Sequence, residues 1–117
     1  MVTGNNEDQM EAAKQATKQQ IAFYGSTPAY RPVLECHGWG DMQTELNALS
    51  KEGKWAEMGN LIDGGVLDAF AVVGEPEEIA EGLTSRFGDI VQRLSFYAPY
   101  KSDAERWRKV FTDLKAI

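Results

Sequence analysis

The chain has 117 residues, of which 43% are hydrophobic and 26% are charged, and these values are typical of a soluble globular protein with a single core. Its net charge is −6, from 18 acidic and 12 basic residues, which disfavours binding to nucleic acid or to an anionic membrane surface. Cys36 is the only cysteine and the N-terminus has no apolar run, so we expect no internal disulfide and a cytoplasmic protein.

The first part of the chain carries the sequence signals of helices. Residues 1–10 begin with a polar stretch and are expected to be disordered or foreign to the rest of the domain. An Ala- and Gln-rich stretch predicts a helix from about Glu7 to Tyr24, with Asn6 as its cap. Further short helices, separated by glycines, complete a helical segment that we predict over residues 11–68. Within it, Thr27 and Asp41 are the expected caps of two helices.

The hydrophobic pattern changes at Ala69. Residues 69–73 form an unbroken apolar run that ends at Gly74, as in a strand buried on both faces of a parallel sheet. Residues 91–97 have the composition of a second strand. The distance between the two runs suits a helical crossover, so we predict a terminal βαβα unit over residues 69–117.

Two helices belong to this unit. Pro76, followed by two glutamates, favours the start of the first helix, whose buried face carries Ile79 and Leu83. Ser102 and Glu105 form a capping box for the second helix. The predicted fold is therefore a helix-rich α/β domain, one domain overall. Two parallel strands are too few for a covered sheet, so we expect the missing strands to come from elsewhere.

Three stretches resemble a known family. Residues 71–80 (AVVGEPEEIA) are similar to a strand and helix near the end of luciferase-like monooxygenases. Residues 20–31 (QIAFYGSTPAYR), with the motif GWGD at 38–41, resemble the deazaflavin-dependent branch of that family. Residues 93–99 (RLSFYAP) resemble the last strand of its barrel. The resemblance extends over about residues 14 to 115.

The resemblance implies a partial (β/α)8 TIM barrel, made of the last two β/α units and the preceding helical segment. It implies an oxidoreductase that transfers hydride between a small organic substrate and either a deazaflavin coenzyme of the F-420 type or FMN. Since such barrels have about 250 residues, the chain is expected to be a C-terminal fragment. We expect it to be inactive alone, without a cofactor of its own, and to need the missing N-terminal barrel part.

Five residues are candidate cofactor contacts. By the resemblance, the cofactor lies at the carboxyl ends of the strands, which places Gly74 and Glu75 after one strand and Tyr97 after the other. Gly74 lets a ligand approach the backbone, whereas Glu75 repels phosphate and equally suits a helix cap. Ser26 and Tyr30 follow a helix end and offer a hydroxyl and an aromatic face, although packing explains them as well. No catalytic acid or base is identified.

The remaining candidates favour structural roles. His37 is the only histidine, which argues against a metal site of several histidines. It is expected to help end a helix, and Cys36 is expected to pack in the core. The tryptophans Trp39, Trp55 and Trp107 lie on apolar stripes and are also expected in the core.

A second hypothesis belongs to a different functional class. A small non-catalytic αβ interaction module would keep part of the fold and lose the chemistry. Exposed strand edges would then pair two copies of the chain in a homodimer. Neither hypothesis includes a nucleic acid or a membrane as a partner.

Overall fold

The computed structural model describes residues 1–101 and 103–116. These residues form two compact units, a terminal unit (Met1–Lys14 with Ala71–Ile117) and a central unit (Gln15–Phe70). The predicted domain boundaries at residues 10 and 68 remain predictions. The same holds for the prediction that the chain is one domain overall. The helices are α1 (Glu7–Gly25), a 3-10 helix (Pro28–Tyr30), α2 (Arg31–Glu35), α3 (Gly40–Lys51), α4 (Trp55–Asn60), α5 (Gly64–Phe70), α6 (Pro76–Phe87) and α7 (Ala104–Ala116).

The central unit has a core built from apolar residues of its helices and of the loop between α4 and α5. Met58 of α4, Ile62 of this loop and Val66 of α5 pack with Ala22 of α1 and Leu46 of α3. Each of these short helices would be unstable alone, so the packing of their apolar residues against one another stabilises them. The predicted helical character of this stretch is therefore confirmed.

The terminal unit has a separate core. Val72, Ile79, Leu83 and Val110 are buried together, and Val110 comes from α7. Helix α6 begins at Pro76, whose missing N–H costs nothing at a first helical position. The predicted helix, with its buried face, is confirmed.

The predicted helix caps have different outcomes. The Asn6 side-chain oxygen accepts a hydrogen bond from the Gln9 N–H at 2.8 Å, which confirms this cap. Thr27 makes no capping hydrogen bond with its side chain. The expected cap at Asp41 is wrong, because α3 already begins at Gly40. Ser102 lies outside the described residues, whereas Asp103 accepts the Arg106 N–H at 2.8 Å and caps α7.

The predicted strand at residues 69–73 is wrong. Helix α5 continues through Phe70, and in the rest of the run only Val73 forms a β bridge, in parallel with Val2. An apolar run of this length fits a buried strand and a buried helix end equally well. A strand also needs partners for its backbone groups, and only the short segment at Val2 provides one.

The predicted strand at residues 91–97 is also wrong. These residues have no regular secondary structure, and Leu94 and Tyr97 are exposed. Since no β-strand is present in residues 1–101 and 103–116, the predicted α/β fold with two terminal units of a TIM barrel is not observed. The described part of the chain is helix-rich, and none of its helices is long and apolar enough to cross a membrane.

Candidate functional site

The start of the chain lies beside residues 72–74 in the terminal unit. The Val2 N–H donates to the Val72 carbonyl oxygen at 2.7 Å, and the Gly74 N–H donates to the Val2 carbonyl oxygen at 3.1 Å. Because the two segments are parallel, both end on the same side, where α1 and α6 begin. The two helix starts therefore lie next to each other.

A cleft of about 580 Å³ lies between these helix starts. We call it the helix-start cleft; it is lined by Gly4, Asn5, Asn6, Glu7, Met10, Glu11, Lys14, Glu75, Pro76 and Glu77. Helix starts carry a positive potential that attracts anions. Here, however, four glutamates and one lysine line the cleft, so its charge opposes a phosphate group.

The carboxylate of Glu78 lies close to Gly74. A Cβ atom placed on Gly74 would lie 2.8 Å from the Glu78 Oε2 atom, so the Glu78 carboxylate lies beside the Gly74 backbone, where its negative charge opposes a phosphate group. Deazaflavin coenzymes and FMN both carry phosphate. The residues around Gly74 therefore do not fit the phosphate end of either cofactor.

The structure separates the five predicted cofactor residues. Glu75 lines the helix-start cleft and Gly74 adjoins it, but Tyr97 is 70% exposed and is not part of its lining. Ser26 and Tyr30 belong to the central unit. Ser26 is buried and its hydroxyl donates to the Phe23 carbonyl oxygen at 2.7 Å, so its observed contacts are structural.

Sequence reasoning missed a buried arginine in the terminal unit. The side chain of Arg106 is only 3% exposed and forms an ion pair with Asp103 at 3.5 Å. Its guanidinium donates to the Gln9 Oε1 atom at 2.9 Å and to the Thr3 carbonyl oxygen at 3.5 Å. Arg106 thus ties the start of the chain to α7. Asp103, three residues before Arg106, is a local indication of this contact in the sequence. The other partners of Arg106, Thr3 and Gln9, are far away in the chain, so no sequence pattern points to them.

The pKa values of two ionisable groups near Arg106, Asp103 and Tyr100, differ from their ordinary values. The pKa of Asp103 lies below its ordinary value because the Arg106 backbone N–H donates to the carboxylate, and the Arg106 charge acts in the same direction. Burial raises the pKa of the Tyr100 hydroxyl, which donates to the Met1 carbonyl oxygen at 3.0 Å. These contacts hold the N-terminal segment in place. The Asp103 carboxylate also accepts a hydrogen bond at 3.1 Å from the side-chain amide of Asn5, which lines the helix-start cleft.

The central unit carries a row of exposed aromatic rings, which we call the aromatic strip (Phe23, Tyr24, Tyr30 and Trp55). The ring centroids are 5.9 Å apart for Trp55 and Phe23, 5.6 Å for Phe23 and Tyr24, and 5.7 Å for Tyr24 and Tyr30. The four residues are between 45% and 53% exposed. The predicted core position of Trp55 is therefore wrong.

His37 belongs to a second aromatic group. Its ring stacks on Trp39 at 4.7 Å and meets Phe70 edge to face at 5.4 Å. Trp39 also packs against the core of the central unit, as expected. Cys36 is exposed, so its predicted packing in the core is wrong. The described residues contain no group of three His, Cys, Asp or Glu side chains that could hold a metal ion.

A family model of luciferase-like monooxygenases matches residues 4–92. The chain belongs to this family, which commonly binds flavin-type cofactors. The matched residues include all of α1 and α6, so both helices whose starts line the helix-start cleft belong to the part of the chain that matches the family.

Similar proteins are an uncharacterized protein of Mycobacterium bovis and one of Mycobacterium tuberculosis strain H37Rv. Each is 54% identical over 94 residues, which cover 80% of this chain. The matched stretch spans only 28% of the length of either relative. No solved structure matches the chain.

Proposed function

We propose that this chain is a section of a luciferase-like oxidoreductase that transfers hydride between a small organic substrate and a flavin-type cofactor, either a deazaflavin coenzyme or FMN. The observation that carries the proposal is the match of residues 4–92 to the family model of luciferase-like monooxygenases. The relatives that are 54% identical support the term section, because the matched stretch makes up only 28% of their length. The remaining length of such a protein is the source of the groups that would hold the cofactor and the substrate.

Features of the terminal unit favour a chain that needs other parts of the protein to bind the cofactor. The helix-start cleft of this unit is lined by four glutamates, and the Glu78 carboxylate lies beside Gly74. A cofactor phosphate therefore needs cationic or N–H donors from outside these residues. We propose that the chain has no turnover alone and that its partner is the part of the luciferase-like fold that it lacks.

A chimera tests this proposal. In the M. tuberculosis relative, the matched stretch would be replaced by the corresponding residues of this chain, and binding of FMN and of the deazaflavin coenzyme would be titrated by fluorescence. We expect the parent relative to bind one of the two cofactors and the chimera to bind the same one with similar affinity. A parent that binds neither cofactor, or a folded chimera that has lost the parent's binding, would contradict the proposal.

The second candidate is a non-catalytic module that associates with copies of itself. Its original basis, exposed edges of two strands, is absent because the described residues form no strand. The aromatic strip of the central unit favours this candidate instead, since large exposed aromatic surfaces often mark interaction sites.

A further inference from the structure

We propose that the terminal unit has a binding site for one extended peptide segment, parallel to residues 72–74, and that residues 1–3 occupy this site within the same chain. We call residues 1–3 the N-terminal strap. The site accepts an extended, uncharged segment of another polypeptide when the strap leaves it, so the strap controls access to the site. This inference goes beyond the proposed function and does not depend on the cofactor assignment.

One side of the site is the backbone of residues 72–74. The Val2 N–H donates to the Val72 carbonyl oxygen at 2.7 Å, and the Val2 carbonyl oxygen accepts from the Gly74 N–H at 3.1 Å. Strand addition through backbone hydrogen bonds, with pockets for alternate side chains, is a common mode of peptide recognition. The contacts of Val2 have this form.

Two side chains hold the neighbouring backbone groups of the strap. The Tyr100 hydroxyl donates to the Met1 carbonyl oxygen at 3.0 Å. The Arg106 guanidinium donates to the Thr3 carbonyl oxygen at 3.5 Å. These polar contacts all reach the backbone of the strap, and any amino-acid sequence offers the same backbone groups. The site can therefore hold an extended segment of a different sequence.

The family match separates the site from its occupant. Residues 72–74 lie within the matched residues 4–92, whereas the strap lies outside them. The pairing edge thus belongs to the part of the chain that is shared with the family, and the segment that fills it does not. A site that is shared while its occupant is not is consistent with a second occupant.

The strap does not match the site in every respect. Thr3 is fully buried, yet its hydroxyl oxygen has no hydrogen-bond partner in the described part of the chain, and the same holds for the buried Arg106 Nε atom. Buried polar groups without partners cost free energy, which lowers the stability of the closed state. Val2 is also fully buried. The preferred ligand is therefore an extended segment with two successive small apolar residues, of which the second replaces Thr3.

Titration of the full chain with a fluorescent peptide tests the proposal. The peptide has the sequence of residues 1–6 (MVTGNN), with the dye at its C-terminal end, and binding is followed by fluorescence polarisation. Val2→Asp would bury a charge, so the strap should leave and the affinity for the peptide should rise at least about tenfold. Val33→Asp is the matched control, because Val33 is exposed, and should leave the affinity unchanged. A peptide with Val in place of Thr should bind to the Val2→Asp chain at least about threefold more tightly.

A disulfide provides a second variant in case Val2→Asp does not fold. Val2 and Val73 are bridge partners, and paired strands lie about 4.8 Å apart, within the Cα distances that a disulfide spans. Val2→Cys with Val73→Cys should therefore lock the strap when oxidised. A Cys36→Ser background removes the exposed natural thiol. The oxidised protein should not bind the peptide, and the reduced protein should bind it like the unchanged chain.

Hydrogen exchange of the unchanged chain measures opening of the strap without any ligand. The Val2 and Gly74 amides should exchange faster than the Leu83 amide in the middle of α6, because the strap opens while the helix stays folded. Equal exchange of the three amides would show that the strap leaves only on global unfolding, which would overturn the proposal. So would the same peptide titration for the oxidised and reduced proteins, a folded Val2→Asp chain without a gain in affinity, or equal binding of a scrambled peptide.

Discussion

Val2 and Val73 form a parallel β bridge, although the whole central unit lies between them in the chain. The bridge gives the backbone of residues 72–74 hydrogen-bond partners, and it places the first turn of α1 beside the first turn of α6. The helix-start cleft exists because of this pairing. The short N-terminal segment is therefore part of the fold of the terminal unit.

Replacement of Val2 tests this role. Val2 is fully buried, so Val2→Ala should lower the free energy of unfolding by about 2 kcal/mol through lost burial and the cavity left behind. Val33→Ala is the control, because Val33 is exposed and its truncation should change stability by less than about 0.5 kcal/mol. Urea unfolding measures both. Equal effects of the two substitutions would show that Val2 is not in the core.

Gly4 provides an independent test of the same segment. A Cβ atom on Gly4 would lie 2.5 Å from the Met10 backbone nitrogen, and backbone cannot move aside as a flexible side chain can. Gly4→Ala should therefore destabilise the chain by about 1–3 kcal/mol. At Gly64, the first residue of α5, an added Cβ meets nothing within 4 Å, so Gly64→Ala should be neutral or slightly stabilising. The same stability for both alanine variants would contradict the packing at Gly4.

Asp103 should make stability depend on pH in the acid range. Its pKa is lower in the folded chain because the Arg106 N–H donates to the carboxylate. The charged form therefore adds stability above the ordinary carboxyl pKa, and this contribution is lost as the pH falls through the folded-state value. Asp103→Asn keeps a capping side chain but cannot titrate. Urea unfolding across the acid range should show a weaker pH dependence in the variant, and parallel profiles would be the contrary result.

The sequence predicted the helices well because their signals are local. Asn6 caps α1, Pro76 begins α6, and Ile79 and Leu83 recur on one buried face. Each of these features depends on residues within one or two turns, so no knowledge of distant contacts was needed.

Whether residues 69–73 and 91–97 form strands could not be decided from the sequence, because strand formation depends on partners that are distant in the chain. Residues 69–73 are apolar enough for a strand, yet only the Val2 segment pairs with them. The contacts of Arg106 with Thr3 and Gln9 are equally remote in the chain. Trp55 was expected in the core because its spacing is helical, but that spacing does not tell which face of a short helix is buried.

We propose that this chain is a section of a luciferase-like oxidoreductase and that it does not hold the flavin-type cofactor alone. The most direct measurement is titration of the purified full chain with FMN and with the deazaflavin coenzyme, followed by ligand fluorescence and by turnover of the reduced cofactor. We expect no saturable binding and no turnover, because glutamates line the helix-start cleft and the Glu78 carboxylate lies beside Gly74. Saturable binding of one cofactor per chain with steady turnover would contradict it.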